Sequence, residues 1–221
     1  MPRAEVIPDE VTAGLDSVGL RFPAHPVARA LLELAGVPVC APSANRYTHV
    51  SPTRAEHVIA SLGERVPWVV DGGSTQVGIE STVLSLLGAR PKILRHGMIS
   101  HEMLEEILGE GSVDQLDTDT IVEDRAAISP GLARKHYSPA CPVFLVDTIP
   151  WGELTAEDGV ITLGEDEGEG ESDATIARLP ENPEDYASAL YGTLHELEQR
   201  ACARIFVRTP PKAAAWRAIL D

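Results

Sequence analysis

Cysteine is scarce in this chain: Cys40, Cys141 and Cys202 are the only three among 221 residues. The number is odd, and neither a C-x-x-C pair nor a nearby pair of histidines accompanies them. Disulfides and a cysteine-held metal are therefore disfavoured, and the thiols read as reduced, buried small hydrophobes. Long apolar runs are also missing. None approaches the roughly 18 residues of a membrane helix, and Met1-Pro2-Arg3-Ala4-Glu5 lacks a charged-then-apolar leader pattern. The expectation is a cytoplasmic protein with no membrane partner. Positive charge is the third deficit. Lys and Arg number 18 against 34 Asp and Glu, a formal net charge of −16. The excess is uneven, with 16 acids and 6 bases in 142–221 but 13 and 9 in 1–112. A broad nucleic-acid face needs clustered cations to displace counterions, so direct nucleic-acid binding is not expected.

What is present is enough apolar material for a core, 43% of residues, in a length that suits one large domain or two small ones. The chain is organised around Pro42-Ser43-Ala44-Asn45, which follows the apolar run Val37-Pro38-Val39-Cys40-Ala41 and leads to Ser51-Pro52-Thr53. A strand opening into small hydroxyl and amide side chains, then a helix capped by Ser51 with Pro52 at its first position, aims backbone N–H groups at an anion. Two readings stay open from these residues alone: a phosphate site, or an ordinary strand, loop and capped helix.

Before this stretch, Val11 to Pro23 reads as a glycine turn and a short strand with Ser17, Gly19 and Arg21 on one face. Arg21 is either a solvated edge arginine or a fork for a carboxylate or phosphate. Val27, Leu31 and Leu34 form the apolar stripe of a helix that Gly36 stops. After the central stretch a second helix spans roughly 53–62. Trp68 to Gly73 and Gly78 to Leu84 read as strands whose ends carry Asp-Gly-Gly and Glu-Ser-Thr, and Lys92 to Gly97 returns as a hairpin bearing Arg95. Ser100 caps a helix to Leu108. Residues 109–127 are polar and aperiodic, as a linker is, and lead into a basic, aromatic island, Ser129 to Pro139, that is either a rigid connector or a cover for a site. Residues 142–221 read as a small β, β, α, β, α unit of Rossmann-like type without a G-x-G-x-x-G turn.

Taken together, Ser17 to Arg21, Ser43-Ala44-Asn45, Ser51-Pro52-Thr53, Gly78-Ile79-Glu80-Ser81-Thr82-Val83, Arg95-x-Gly97 and Ser129-Pro130-Gly131 to His136-Tyr137-x-Pro139 resemble the Sua5/YrdC family of L-threonylcarbamoyladenylate synthases. The resemblance covers the whole chain. It implies an α/β fold: a partial, twisted YrdC-like α+β sheet over 1–112, a linker over 113–141, and a small Rossmann-like Sua5 domain over 142–221. It implies synthesis of L-threonylcarbamoyladenylate and pyrophosphate from L-threonine, bicarbonate and ATP, with Mg2+ on the phosphates, for N6-threonylcarbamoyladenosine in tRNA. The product would pass to a downstream tRNA threonylcarbamoyltransferase machinery, with no direct tRNA binding.

By the same resemblance Ser17, Ser43, Asn45, Ser51, Arg95 and Tyr137 are the ATP-binding positions, and Arg21, Ala41 and Ser81 hold threonine. No residue is given a covalent or acid–base role, and no protein-held metal is implied. The chain departs from the family pattern in three places. The family's N-terminal half, with its lysine-x-arginine motif, has no counterpart, which implies an N-terminally truncated chain. The basic ending usual in the family is missing too. Tyr47-Thr48 stand where relatives commonly have glycine, and Thr48 would strain a positive φ. The alternative function is a truncated, non-catalytic remnant of the same fold that binds nucleotide or RNA.

Overall fold

The computed structural model of the chain describes residues 1–115, 138–165 and 172–220. The first stretch contains helices α1 (Asp9–Thr12), α2 (Pro26–Ala35) and α3 (Ala55–Leu62), strands β1 (Val83–Ser85) and β2 (Lys92–Arg95), helix α4 (His101–Leu108) and strand β3 (Asp114–Gln115). The remainder contains β4 (Val143–Val146), β5 (Asp158–Leu163), β6 (Thr175–Leu179), α5 (Pro183–Gln199), β7 (Arg204–Arg208) and α6 (Arg217–Leu220). The fold is mixed α/β, as the sequence implies.

The second sheet is fully parallel, in the order β4-β7-β5-β6. Its central strands are apolar on both faces, which a parallel sheet covered on both sides requires. Val160 and Phe206 pack with Ile149 on one side, while Ile161, Ile205 and Val207 pack under α5 on the other. The helix starts where the sequence places it: the Asn182 side-chain oxygen accepts the Asp185 N–H at 2.9 Å and Pro183 fills the first turn. It buries Tyr186, Ala187, Leu194 and Leu197, and Tyr186 meets Trp216 edge-on at 5.3 Å. Each fully buried side chain of this size is worth about 1.5–3 kcal/mol. At the mouth of β5, Arg204 grips the buried Asp158 carboxylate at 2.6 Å, and that hydrogen bond holds the carboxyl below its usual range.

The first sheet is smaller. β1 and β2 are antiparallel with a bulge between Val83 and Leu84, and β3 runs parallel to β2. Several expected features differ here. The runs 17–22, 37–41 and 68–73 form no ladder, because a strand exists only by repeated hydrogen bonding to a neighbour, and among the described residues 37–41 and 68–73 pair with no strand while 17–22 has only an isolated bridge. Ser17 makes a single bridge with Pro2. β6 and β3 go beyond the expectation, and β3 lies within the stretch that the sequence presents as pure linker. The cysteines differ as well, since only Cys202 is buried, Cys141 is half-buried and Cys40 is exposed. Burial pushes the Cys141 and Cys202 thiols up, towards the unreactive protonated form.

Burial is distributed very unevenly. Helix α2 leaves all ten residues exposed or half-buried, including the predicted stripe of Val27, Leu31 and Leu34. Phe22, Trp68 and Ile107 are 91%, 86% and 83% exposed. Such exposed apolar surface invites association. The 221-residue chain should therefore sediment as concentration-dependent oligomers, and a monodisperse monomer across the micromolar range would show that these faces do not drive contact.

Candidate functional site

Two of the side chains that the sequence singles out, Ser51 and Arg95, meet at one residue it leaves unassigned, Glu80. Ser51 Oγ donates to Glu80 Oε1 at 2.5 Å, and the Glu80 carboxylate lies 3.4 Å from the Arg95 guanidinium. Arg95 Nε donates to the Ser81 carbonyl oxygen at 3.0 Å. Arg95 is 9% exposed although it sits on a three-stranded sheet, and a buried arginine needs such partners. The motif Arg95-x-Gly97 has a steric reason: a Cβ on Gly97 would collide with the backbone of Glu80, Ser81 and Thr82. Glycine lets β2 leave the sheet against the Glu-Ser-Thr segment, and this proximity brings Arg95 to Glu80. Glu80 was legible only as part of its motif, since its carboxylate finds its partners only when the strand end and the Ser51 segment meet.

Ser51 is not a helix cap. Helix α3 begins at Ala55 after Arg54, with no side-chain capping bond, and Pro52 and Thr53 precede it. The hydroxyl goes to Glu80 instead, so the expected helix N-terminus aimed at an anion does not form at Ser51-Pro52. Asn45 shapes the loop that leads here. Its Nδ2 donates to the carbonyl oxygens of His49 at 2.7 Å and Val50 at 3.4 Å, and its buried Oδ1 has no hydrogen-bond partner among the described residues. Thr48, in the glycine-like position, has φ +72°. A β-branched residue there stores about 1–3 kcal/mol of strain. Its carbonyl accepts the Ser138 N–H at 3.0 Å, which ties the loop to the start of the C-terminal part.

The remaining predicted residues stand apart. Ser17 is half-buried, while Arg21, Ala41, Ser43 and Ser81 are exposed at the side chain. Ser17, Arg21, Ala41 and Ser43 form no hydrogen bond with the Ser51–Glu80–Arg95 group among the described residues. Tyr137, together with residues 129–137 of the basic island, lies outside the described residues. Among the described residues no three His, Cys, Asp or Glu side chains gather as a metal site, and no helix is long and apolar enough to cross a membrane.

The site's floor comes from the far end of the chain. Val50 is 1% exposed and belongs to the same core as Ile161, Leu194 and Trp216. Gly78 lies so close to α5 that a Cβ would collide with the Ala187 and Ser188 carbonyl oxygens, and Ser188 Oγ donates to the Gln76 carbonyl at 2.8 Å. A cleft of about 290 Å³, lined by Thr53, Arg54, Ser74, Thr75 and α5, opens beside this contact. His57 of α3 and His195 of α5 stack at 3.9 Å. His57 Nδ1 accepts the Thr53 N–H at 3.2 Å, which leaves the hydrogen on Nε2.

Two family models divide the chain. One described as Telomere recombination, for Sua5, YciO and YrdC, matches residues 1–97, and one described as Threonylcarbamoyl-AMP synthase, C-terminal domain, matches residues 99–221. The chain belongs to the Sua5/YrdC family. Among its relatives is the Threonylcarbamoyl-AMP synthase of Bacillus subtilis, 34% identical over 230 residues that take in 99% of this chain and 65% of that protein. The Pyrococcus abyssi protein of the same name is 38% identical over 147 residues, 66% of this chain and 43% of that one. The solved structure described as P. abyssi Sua5 complexed with L-threonine superposes with a TM-score of 0.84 at 30% identity, covering all of this chain and 66% of that chain. The chain thus spans about two thirds of the length of the B. subtilis relative and of the P. abyssi structure, and less than half of that length is matched in the P. abyssi sequence comparison.

The histidine pair sets a pH dependence. Burial lowers the His57 pKa below its ordinary 6.5, and His195 and Arg54 lower it further, while Glu56 and Glu196 pull the other way. The unfolded chain then takes up this proton at a higher pH than the folded one, so His57 contributes stability above about pH 6.5 that is lost on acidification. The urea midpoint should fall between pH 7 and 5.5, and His57→Gln should flatten that fall. An equal pH slope in both proteins would remove His57 from the account.

Proposed function

We propose that this chain carries the nucleotide and threonine sites of a threonylcarbamoyl-AMP synthase. The observation that carries the reading is the Ser51–Glu80–Arg95 group, in which three separate family motifs meet in a chain of this family. The relatives' names favour the synthase over a remnant that only binds nucleotide or RNA.

In this reading threonine and bicarbonate condense to a carbamate with loss of water. A carbamate oxygen then attacks the α-phosphate of ATP, the bond to the β-phosphate oxygen breaks, and pyrophosphate leaves. No covalent protein intermediate is needed, so the protein's work is positioning and charge stabilisation. Arg95, held by Glu80 and the Ser81 carbonyl, offers a fixed cation to phosphate. Ser51, Ser43 and Ser17 supply hydroxyls, and Asn45 shapes the phosphate loop. Arg21 takes the threonine carboxylate, with Ala41 and Ser81 lining that pocket; threonine as a substrate is supported by the threonine complex of the P. abyssi relative. Tyr137 is assigned to close over the nucleotide.

Magnesium would arrive on the ATP phosphates. The buried Asn45 Oδ1, without a partner among the described residues, and the Glu80 carboxylate are oxygens of the type this hard cation accepts, directly or through water. When bound, it would neutralise phosphate charge. The product would serve tRNA modification in the cytoplasm, through a downstream threonylcarbamoyltransferase machinery.

The test is ATP binding by calorimetry, with folding checked by circular dichroism. Arg95→Ala should weaken binding by about 1.5–3 kcal/mol, the worth of a hydrogen bond to a charged group. Equal affinity in mutant and parent would remove Arg95 from the site, and no ATP binding by the parent would overturn the nucleotide reading for this chain.

A further inference from the structure

Helix α5 belongs to the C-terminal sheet, yet one of its side chains holds a main-chain group of the candidate site. His195 Nε2 lies 3.1 Å from the Ser51 carbonyl oxygen. A carbonyl only accepts, so Nε2 carries the hydrogen and donates it. The ring is held flat against His57, with centroids 3.9 Å apart and planes inclined by 26°. His57 is in turn fixed by the Thr53 N–H, two residues beyond Ser51. Ser51 is thus held twice: its hydroxyl is held by Glu80 from the segment that precedes β1, and its carbonyl by His195 from the second unit. The preceding residue, Val50, is fixed by burial in the α5 core. With the backbone of residue 51 held at its carbonyl, the Oγ direction toward Glu80 and Arg95 is fixed by few remaining rotations.

We propose that His195 is a positioning residue for Ser51, through which the C-terminal unit sets the geometry of the nucleotide site by one hydrogen bond between the two units. The consequence for ligand binding rests on the reading of Ser51 as a nucleotide contact, whereas the backbone effect does not. Neither family motif nor charge pattern marks His195, because its partner is a main-chain oxygen 144 residues away.

Two variants of the full chain separate the hydrogen bond from simple packing. His195→Phe keeps a flat ring for the stack and removes the donor, while His195→Gln keeps an N–H donor at a similar reach and removes the ring. Amide exchange over residues 49–54 is read without ligand, and affinity for ATP with magnesium is read on the same samples, together with the urea midpoint. The expected result is exchange at 49–54 faster by about threefold to tenfold in His195→Phe, with ATP bound more weakly by a similar factor and both near the parent in His195→Gln. Parent-like exchange in His195→Phe overturns the proposal, as does a His195→Gln protein that exchanges as fast as His195→Phe, since packing alone would then hold the segment. If exchange follows the proposal but the parent binds no ATP, the positioning stands and the nucleotide reading of Ser51 falls.

Discussion

The docking of α5 onto the Val50 to His57 segment is the contact on which the candidate site depends. A loop of small polar residues does not hold a geometry by itself, because ordering each backbone residue costs about 1–2 kcal/mol. Here the cost is offset by burying Val50 in the C-terminal core, by the histidine stack, and by the absence of a side chain at Gly78, which lets two backbones touch. Ser51 sits between these anchors, and the chain Ser51–Glu80–Arg95 runs from it into the first sheet. The site is therefore a property of both units, although Ser51, Glu80 and Arg95 all precede residue 98.

This arrangement also explains where order is concentrated. The parallel sheet and α5 bury apolar residues on both sides and close a core of their own. The first 112 residues contribute Val18, Ile93 and the inserted Val50 to buried apolar positions, while many of their large side chains face outward. Polar constraints carry more of the load there: the Arg95 pair, the Asn45 loop and the Thr82 hydroxyl, which donates to the Ile99 carbonyl at 2.7 Å. Such constraints fix direction well and contribute little net stability, since each neutral hydrogen bond is worth about 0.5–1.5 kcal/mol. The strained Thr48 belongs to this economy of geometry, its carbonyl occupied by Ser138.

Local chemistry was legible in the sequence. The Asn182-Pro183 start of α5, the Ser100 cap and the β1–β2 hairpin follow from capping and turn rules that act within a few residues. The sequence shows apolar runs but not the ladders they would join, because pairing is a relation to a neighbour and residues 37–41 and 68–73 pair with no strand among the described residues. Ser51 shows the limit most clearly. Its sequence context, a serine followed by proline before a helix, describes a cap, yet a carboxylate 29 residues away competes for the hydroxyl and holds it at 2.5 Å. Glu80 and His195 escaped a residue-by-residue reading for the same reason. Their partners are distant in sequence, and nothing local distinguishes a structural acid or histidine from a functional one.

The central claim is that the loop of the first unit and helix α5 of the second form one cooperative element. Pulse-labelling amide exchange across a urea titration tests it directly, comparing residues 46–57 with residues 183–199 in the same sample. If the two segments are held by shared contacts, they open together and their midpoints coincide. A midpoint for 46–57 well below that of α5 would contradict the claim and leave the loop to fold, and to bind, without the C-terminal unit.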